Sequence, residues 1–169
     1  MKKYVFLVLF LLLTTLAEAS GRILFVPLDD RPVCLDYTVD TFRAAGWDIQ
    51  TPPRDLIASF DHNGDPEKVY DWLESKAPGS SAIVVSSDSM IYGGLVASRT
   101  HKLSDELLME RTTRLLQFKN KFADIPVYVF TTVMRSPKAS SAPVEPSYYK
   151  EYGSRIFRLG ELTDKSEII

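Results

Sequence analysis

Arg22–Pro32 reads RILFVPLDDRP, a short run of apolar and β-branched residues that ends on two carboxylates, a guanidinium and a proline. A run this short, closed by a turn, fits a strand better than a helix, whose pattern needs roughly ten residues or more. The strand is placed at Arg22–Pro27. Ala82–Ser86 (AIVVS) and Val127–Val133 (VYVFTTV) repeat the pattern, and Trp47–Gln50 (WDIQ) is a weaker fourth segment. Continuous rather than alternating apolarity points to strands covered on both faces, as in parallel sheets.

Helical patterns fill the intervals. Cys34–Ala45 carries Tyr37, Val39, Phe42, Ala44 and Ala45. Pro66–Lys76 opens with proline at the first helical position after Asp65, a good N-cap. Ser104–Phe122 is the longest, with acidic residues in its first turn and a core stripe of Leu107, Leu108, Leu115, Leu116 and Phe118. The aromatics Phe42, Trp47, Phe60, Tyr70, Trp72, Phe118 and Phe122 are assigned to helix faces and core. The alternation predicts an α/β domain with a mostly parallel sheet and helices on both faces, either Rossmann-like or part of a β/α barrel. Ser136–Pro146 (SPKASSAPVEP) reads as a loop, and Tyr148–Leu159 starts another helix. Three or four strands make a thin sheet, and the chain stops at Ile169 without a closing signal. The expectation is therefore an incomplete domain, the N-terminal part of a longer protein.

The first 19 residues have the parts of a secretory signal peptide. Lys2 and Lys3 give the charged start, Tyr4–Leu16 the apolar stretch, and Ala17-Glu18-Ala19 the cleavage signature before Ser20. The apolar stretch is too short for a span, which takes roughly 20 residues. The mature domain is then 20–169, extracytoplasmic (secreted or periplasmic), meeting a membrane only during export. Net charge is −2, which gives no attraction to nucleic acid. Cys34 is the lone cysteine, forms no internal disulfide, and reads as a small buried hydrophobe. His62 and His101 lie in loop-like surroundings and read as surface residues.

In α/β proteins ligands bind beyond the carboxyl ends of the strands. Three polar clusters fall there. Asp29, Asp30 and Arg31 follow the first strand, with Asp30 a candidate cap for a helix beginning at Pro32. Asp88, Tyr92, Gly93, Gly94 and Arg99 follow the third, where the glycines permit positive φ and close approach to a ligand, and Asp88 could cap a short helix. Arg135 follows the fourth. Asp29, Asp30 and Asp88 are the candidate acid, base or nucleophile carboxylates, whereas Arg31, Tyr92, Gly93, Gly94, Arg99 and Arg135 are the candidate substrate contacts. Neither GxGxxG nor GxxxxGK[ST] occurs, so no nucleotide cofactor is indicated, while aspartates of this kind also suit Mg²⁺ or Ca²⁺.

The same three places carry a resemblance. ILFVPLDDRPVCLDY (Ile23–Tyr37), DSMIYGGLVASR (Asp88–Arg99) and VMRSPKASSAPVEPSYYKEYG (Val133–Gly153) resemble the N-terminal motifs of the bacterial DUF4127 proteins. The chain departs from that pattern at Cys34, where the family favours Asn, and at Ser89, while the Asp, Arg and Gly residues stay in place. The resemblance implies a piece of a longer protein and brings no assigned activity or catalytic residue. Export and strand-end carboxylates lead to the expectation of a hydrolase acting on a carbohydrate or sugar-like substrate. The alternatives are a non-catalytic extracytoplasmic binding protein for a small molecule or glycan, and a metal-dependent phosphate-ester enzyme.

Overall fold

The computed structural model describes residues 20–139 and 144–167, so the signal-peptide reading of 1–19 lies outside the described residues, as does part of the proline-rich loop. Four strands form one sheet: β1 (Ser20–Val26), β2 (Trp47–Gln50), β3 (Ala82–Ser86) and β4 (Val127–Phe130). All three pairings are parallel, and the order is β2-β1-β3-β4. Consecutive strands of a β/α barrel are neighbours; here β1 lies between β2 and β3. The sheet is therefore open and doubly wound, which decides between the two architectures that the strand pattern allowed.

Side-chain alternation along β1 shows why both faces had to be apolar. Leu24 and Val26 join Ile83 and Val85 in a core closed by Val69, Tyr70 and Leu73 of α2 (Pro66–Lys76), Met90 of α3 (Ser87–Tyr92) and Phe118 of α5 (Asp105–Lys121). Ile23 and Phe25 point the other way, onto Leu35, Ile49, Ile57 and Val39 of α1 (Asp36–Ala44). The Asp65 side chain accepts the Lys68 amide at the start of α2, and Ser104 accepts the Leu107 amide at the start of α5. Tyr70 is buried in the core, where desolvation pushes its phenol well above the ordinary range, and its hydroxyl donates to the Arg111 carbonyl at 3.1 Å.

Several expectations shift. The fourth strand ends at Phe130 rather than Val133, because β3 ends at Ser86 and leaves Thr131 and Thr132 no strand to pair with. The first helix begins at Asp36, after a turn in which the Cys34 and Leu35 amides both donate to the Arg31 carbonyl. Asp30 does not cap it: Leu35 stands at the cap position and supplies no side-chain bond. α4 (Leu95–Thr100) is a short helix that the sequence pattern did not mark, and α6 (Tyr149–Glu167) is one continuous helix. Phe60, Phe42 and Trp47 are exposed rather than core, and Leu116 turns outward from α5 at 65% exposure. Among the described residues β4 pairs on one side only, and Tyr128 and Val129 are exposed. Among the described residues no helix is long and apolar enough to cross a membrane.

Candidate active site at the strand exits

β1 leads into α1 on one face of the sheet, and β3 leads into α3, α4 and α5 on the other. The chain thus departs in opposite directions from two adjacent strand ends, and the crevice that such a switch point makes is the usual ligand position in an open α/β sheet.

Ser86 to Ser89 stitch the exits together. Ser86, not Asp88, caps α3, its Oγ accepting the Ser89 amide at 3.3 Å. Ser89 Oγ lies 2.6 Å from the Pro27 carbonyl and 3.1 Å from that of Leu28, so the β3 exit donates to the β1 exit. Ser87 Oγ meets Thr131 Oγ1 at 2.8 Å, and buried Asp88 accepts the Thr132 amide through Oδ2 at 3.1 Å. These two contacts bind the β4 exit to the β3 exit. The three strand exits are thus joined by hydrogen bonds to one another.

Within this frame the aspartates differ. Asp29 is buried and gripped by Arg31, whose Nε lies 2.9 Å from both carboxylate oxygens and whose Nη2 lies 2.8 Å from Oδ2. The guanidinium itself stays half exposed at 53%, and its hydrogen bond to Asp29 raises its already high pKa. Arg31 Nη2 also reaches Cys34 Sγ at 3.7 Å. Burial, reinforced by Asp29, pushes the Cys34 thiol up to about 11, so it stays protonated at neutral pH. Asp30 is half-buried; its amide donates to the Ala58 carbonyl at 2.8 Å, while its carboxylate makes no hydrogen bond or ion pair among the described residues.

The remaining candidates separate. Arg99 sits half-buried in the last turn of α4 with no hydrogen bond or ion pair among the described residues. Tyr92 packs its ring on His101, centroid to centroid 4.8 Å. Arg135 is engaged by the buried Glu145 carboxylate at 3.0 Å, which ties the β4 exit to the segment before α6.

The two glycines do something the sequence did not reveal. Gly93 has φ +88° and Gly94 φ +125°. A Cβ on Gly94 would lie 2.4 Å from the Ala58 Cβ, and one on Gly93 would lie 2.6 Å from the Gly64 carbonyl oxygen. Their close approach is to the loop that follows β2. The Gly64 amide donates to the Gly93 carbonyl at 2.8 Å, and the Ala58 carbonyl receives the Asp30 amide, so this loop is fastened to both sides of the crevice. Beyond placing Phe60 in the core and His62 at the surface, the sequence did not tie 57–64 to the strand exits, because nothing local in it says that it touches residues some thirty positions away on either side.

Among the described residues no group of three or more His, Cys, Asp or Glu side chains could hold a metal ion. A groove of about 720 Å³ runs along α5 beside Glu74, Arg114, Phe118 and Lys121, and no strand-exit residue lines it.

The family model described as "Protein of unknown function (DUF4127)" matches residues 23–169. The chain belongs to this family. All nine candidate site residues fall inside the matched region, from Asp29 to Arg135. No curated protein and no solved structure matches the chain.

Proposed function

We propose that this DUF4127 chain is an exported hydrolase of a carbohydrate or sugar-like substrate, with its site in the crevice between the β1 and β3 exits. The observation that carries the reading is Asp30. Asp29 is paired with Arg31, and Asp88 is engaged by the Thr132 amide, but half-buried Asp30 at the β1 exit has no partner for its carboxylate among the described residues. A carboxylate left in that state is available to take a proton from water or to meet a sugar hydroxyl. Arg99, likewise without a hydrogen bond or ion pair among the described residues, is the cation this reading assigns to a polar ligand. Asp29 and Asp88 then act as positioning residues that hold the exits in register.

The test is release of reducing ends from cellohexaose, xylohexaose and chitohexaose by the wild-type protein and by Asp30→Asn. The reading requires turnover of at least one glycan and a loss of about 10²-fold or more in the variant, the usual weight of a positioned general base. Turnover untouched by Asp30→Asn removes Asp30 from the chemistry. Two of the three aspartates being already engaged favours a second reading, a non-catalytic glycan-binding protein. Wild-type binding to one of these hexaoses without any turnover selects it.

A further inference from the structure

The groove along α5 stands apart from the strand exits. The α5 residues that line it recur three and four positions apart, so they lie on one face of the helix, with Glu74 of α2 beside them. Phe118 gives that face a buried apolar floor, whereas Met109 on the same face is 67% exposed. Leu116, two helical turns beyond Met109, is exposed to almost the same degree.

The charges of α5 are sorted along its length. Asp105 and Glu106 stand in the first turn, Glu110 follows one turn on, and Lys119 and Lys121 stand in the last turn. This order is complementary to itself. Laid antiparallel to a copy of itself about the step between Thr113 and Arg114, the groove face sets Glu106 opposite Lys121, Glu110 opposite Gln117 and Met109 opposite Phe118. A parallel pairing sets acid on acid and base on base. Lys121 already holds Glu74 at 2.9 Å, yet its side chain is 57% exposed, and an ammonium has three donors, so it can meet a second carboxylate. Arg114, nearest the centre, is paired with Glu67 and Asp71, which offsets its repulsion by the Arg114 of a second copy.

We infer that this face is the interface of a two-fold dimer, in which α5 of a second copy lies antiparallel along the groove. A two-fold interface uses the same patch on both subunits and must fit itself. Here each Met109 enters the other copy's groove over Phe118, and each acidic helix end meets a basic one. Apolar burial holds the pair, while the charges set its direction and register. No strand-exit residue lines the groove, so the inference stands independently of the hydrolase reading.

Sedimentation velocity across a concentration series tests it. The wild-type protein is to show a monomer–dimer equilibrium. Met109→Asp, at a site already in solvent, is to weaken the dimer about tenfold or more, because it carries a charge into the interface. Glu106→Lys sets two bases together at both ends of the dimer, and Lys121→Glu sets two acids together, so each is to weaken self-association about tenfold. An equimolar mixture of those two variants, one of them fluorescently labelled, is to dimerise about as tightly as wild type, since every acid–base pair re-forms between unlike chains. A wild type that stays monomeric at about 1 mM overturns the inference. So does a dimer that Met109→Asp and Glu106→Lys leave unweakened, which is held elsewhere, the β4 edge included. Variants that unfold at the wild-type temperature but fail to restore the dimer when mixed overturn the antiparallel register. Where Lys121→Glu unfolds early through its loss of Glu74, Met109→Asp and Glu106→Lys decide alone, and both must weaken the dimer.

Discussion

The chemistry of the β1 exit turns on which aspartate is engaged. Asp29 and Asp30 are neighbours in sequence, and composition alone makes them equivalent. The turn sets them apart, since Asp29 points inward to Arg31 and Asp30 is left over. Carboxylates at strand ends were therefore legible in the sequence, but their division of labour was not, because it depends on a turn whose hydrogen bonds run to Ala58 and Arg31. Cys34, expected to be a small buried hydrophobe, is only half-buried, yet its surroundings keep the thiol protonated at neutral pH. Its pKa rises from 9.0 to about 11, chiefly through burial. A group whose pKa is raised by folding stabilises the fold fully below its unfolded value and loses that contribution as pH climbs through the folded value. The window here runs from about pH 9 to about pH 11. Iodoacetamide labelling followed by mass spectrometry is therefore expected to be slow at pH 8 and to reach half its maximal rate near pH 11. Labelling with a midpoint near pH 9 would mean that the thiol is open to water.

Among the elements, the start of α2 was readable because its cap is written within four residues, and Asp65 stands where the local pattern put it. α5 starts one residue after the expected Ser104, which caps it instead. The α3 cap was misread by two positions, since Ser86 takes the amide and Asp88 is released to hold Thr132. The Gly93-Gly94 pair was legible as a turn but not as a docking point. Gly94 lies in a backbone region open essentially to glycine alone, where another residue costs roughly 1–3 kcal/mol in strain. The overlap with Ala58 adds to that. Gly94→Ala is thus expected to destabilise by about 2 kcal/mol or more in urea unfolding. Gly160→Ala provides the contrast: α6 is regular there and nothing lies within 4 Å, so a gain of about 0.5–1 kcal/mol is expected from helix propensity. A Gly94→Ala cost no larger than a few tenths of a kcal/mol would show that the 57–64 loop yields easily.

For the whole molecule, the class of fold was readable and its closure was not. Short apolar runs separated by helices state that strands are buried and parallel. They say nothing about whether β3 follows β2 or lies beyond β1, since strand order is decided by packing between distant segments. Leu116 and Phe60 show the same limit: a helical stripe or an aromatic residue is apolar wherever it stands, and only the neighbouring elements decide whether it is covered. The sheet order also sets a gradient of opening. β1 and β3 have a strand on each side, whereas β4 has one neighbour and exposed side chains. Amide exchange is expected to be slowest in Leu24–Val26 and Ile83–Val85, with β4 opening at lower free energy. Equal protection across all four strands would contradict an edge position for β4.

That same edge has a colloidal consequence. Val127–Phe130 (VYVF) is uncharged, lacks proline and glycine, and has a strand neighbour on one side only among the described residues. Strands of this kind template one another across molecules unless a charge or a covering element intervenes. Association between molecules through this edge is therefore expected to rise with protein concentration and to yield β-rich precipitate.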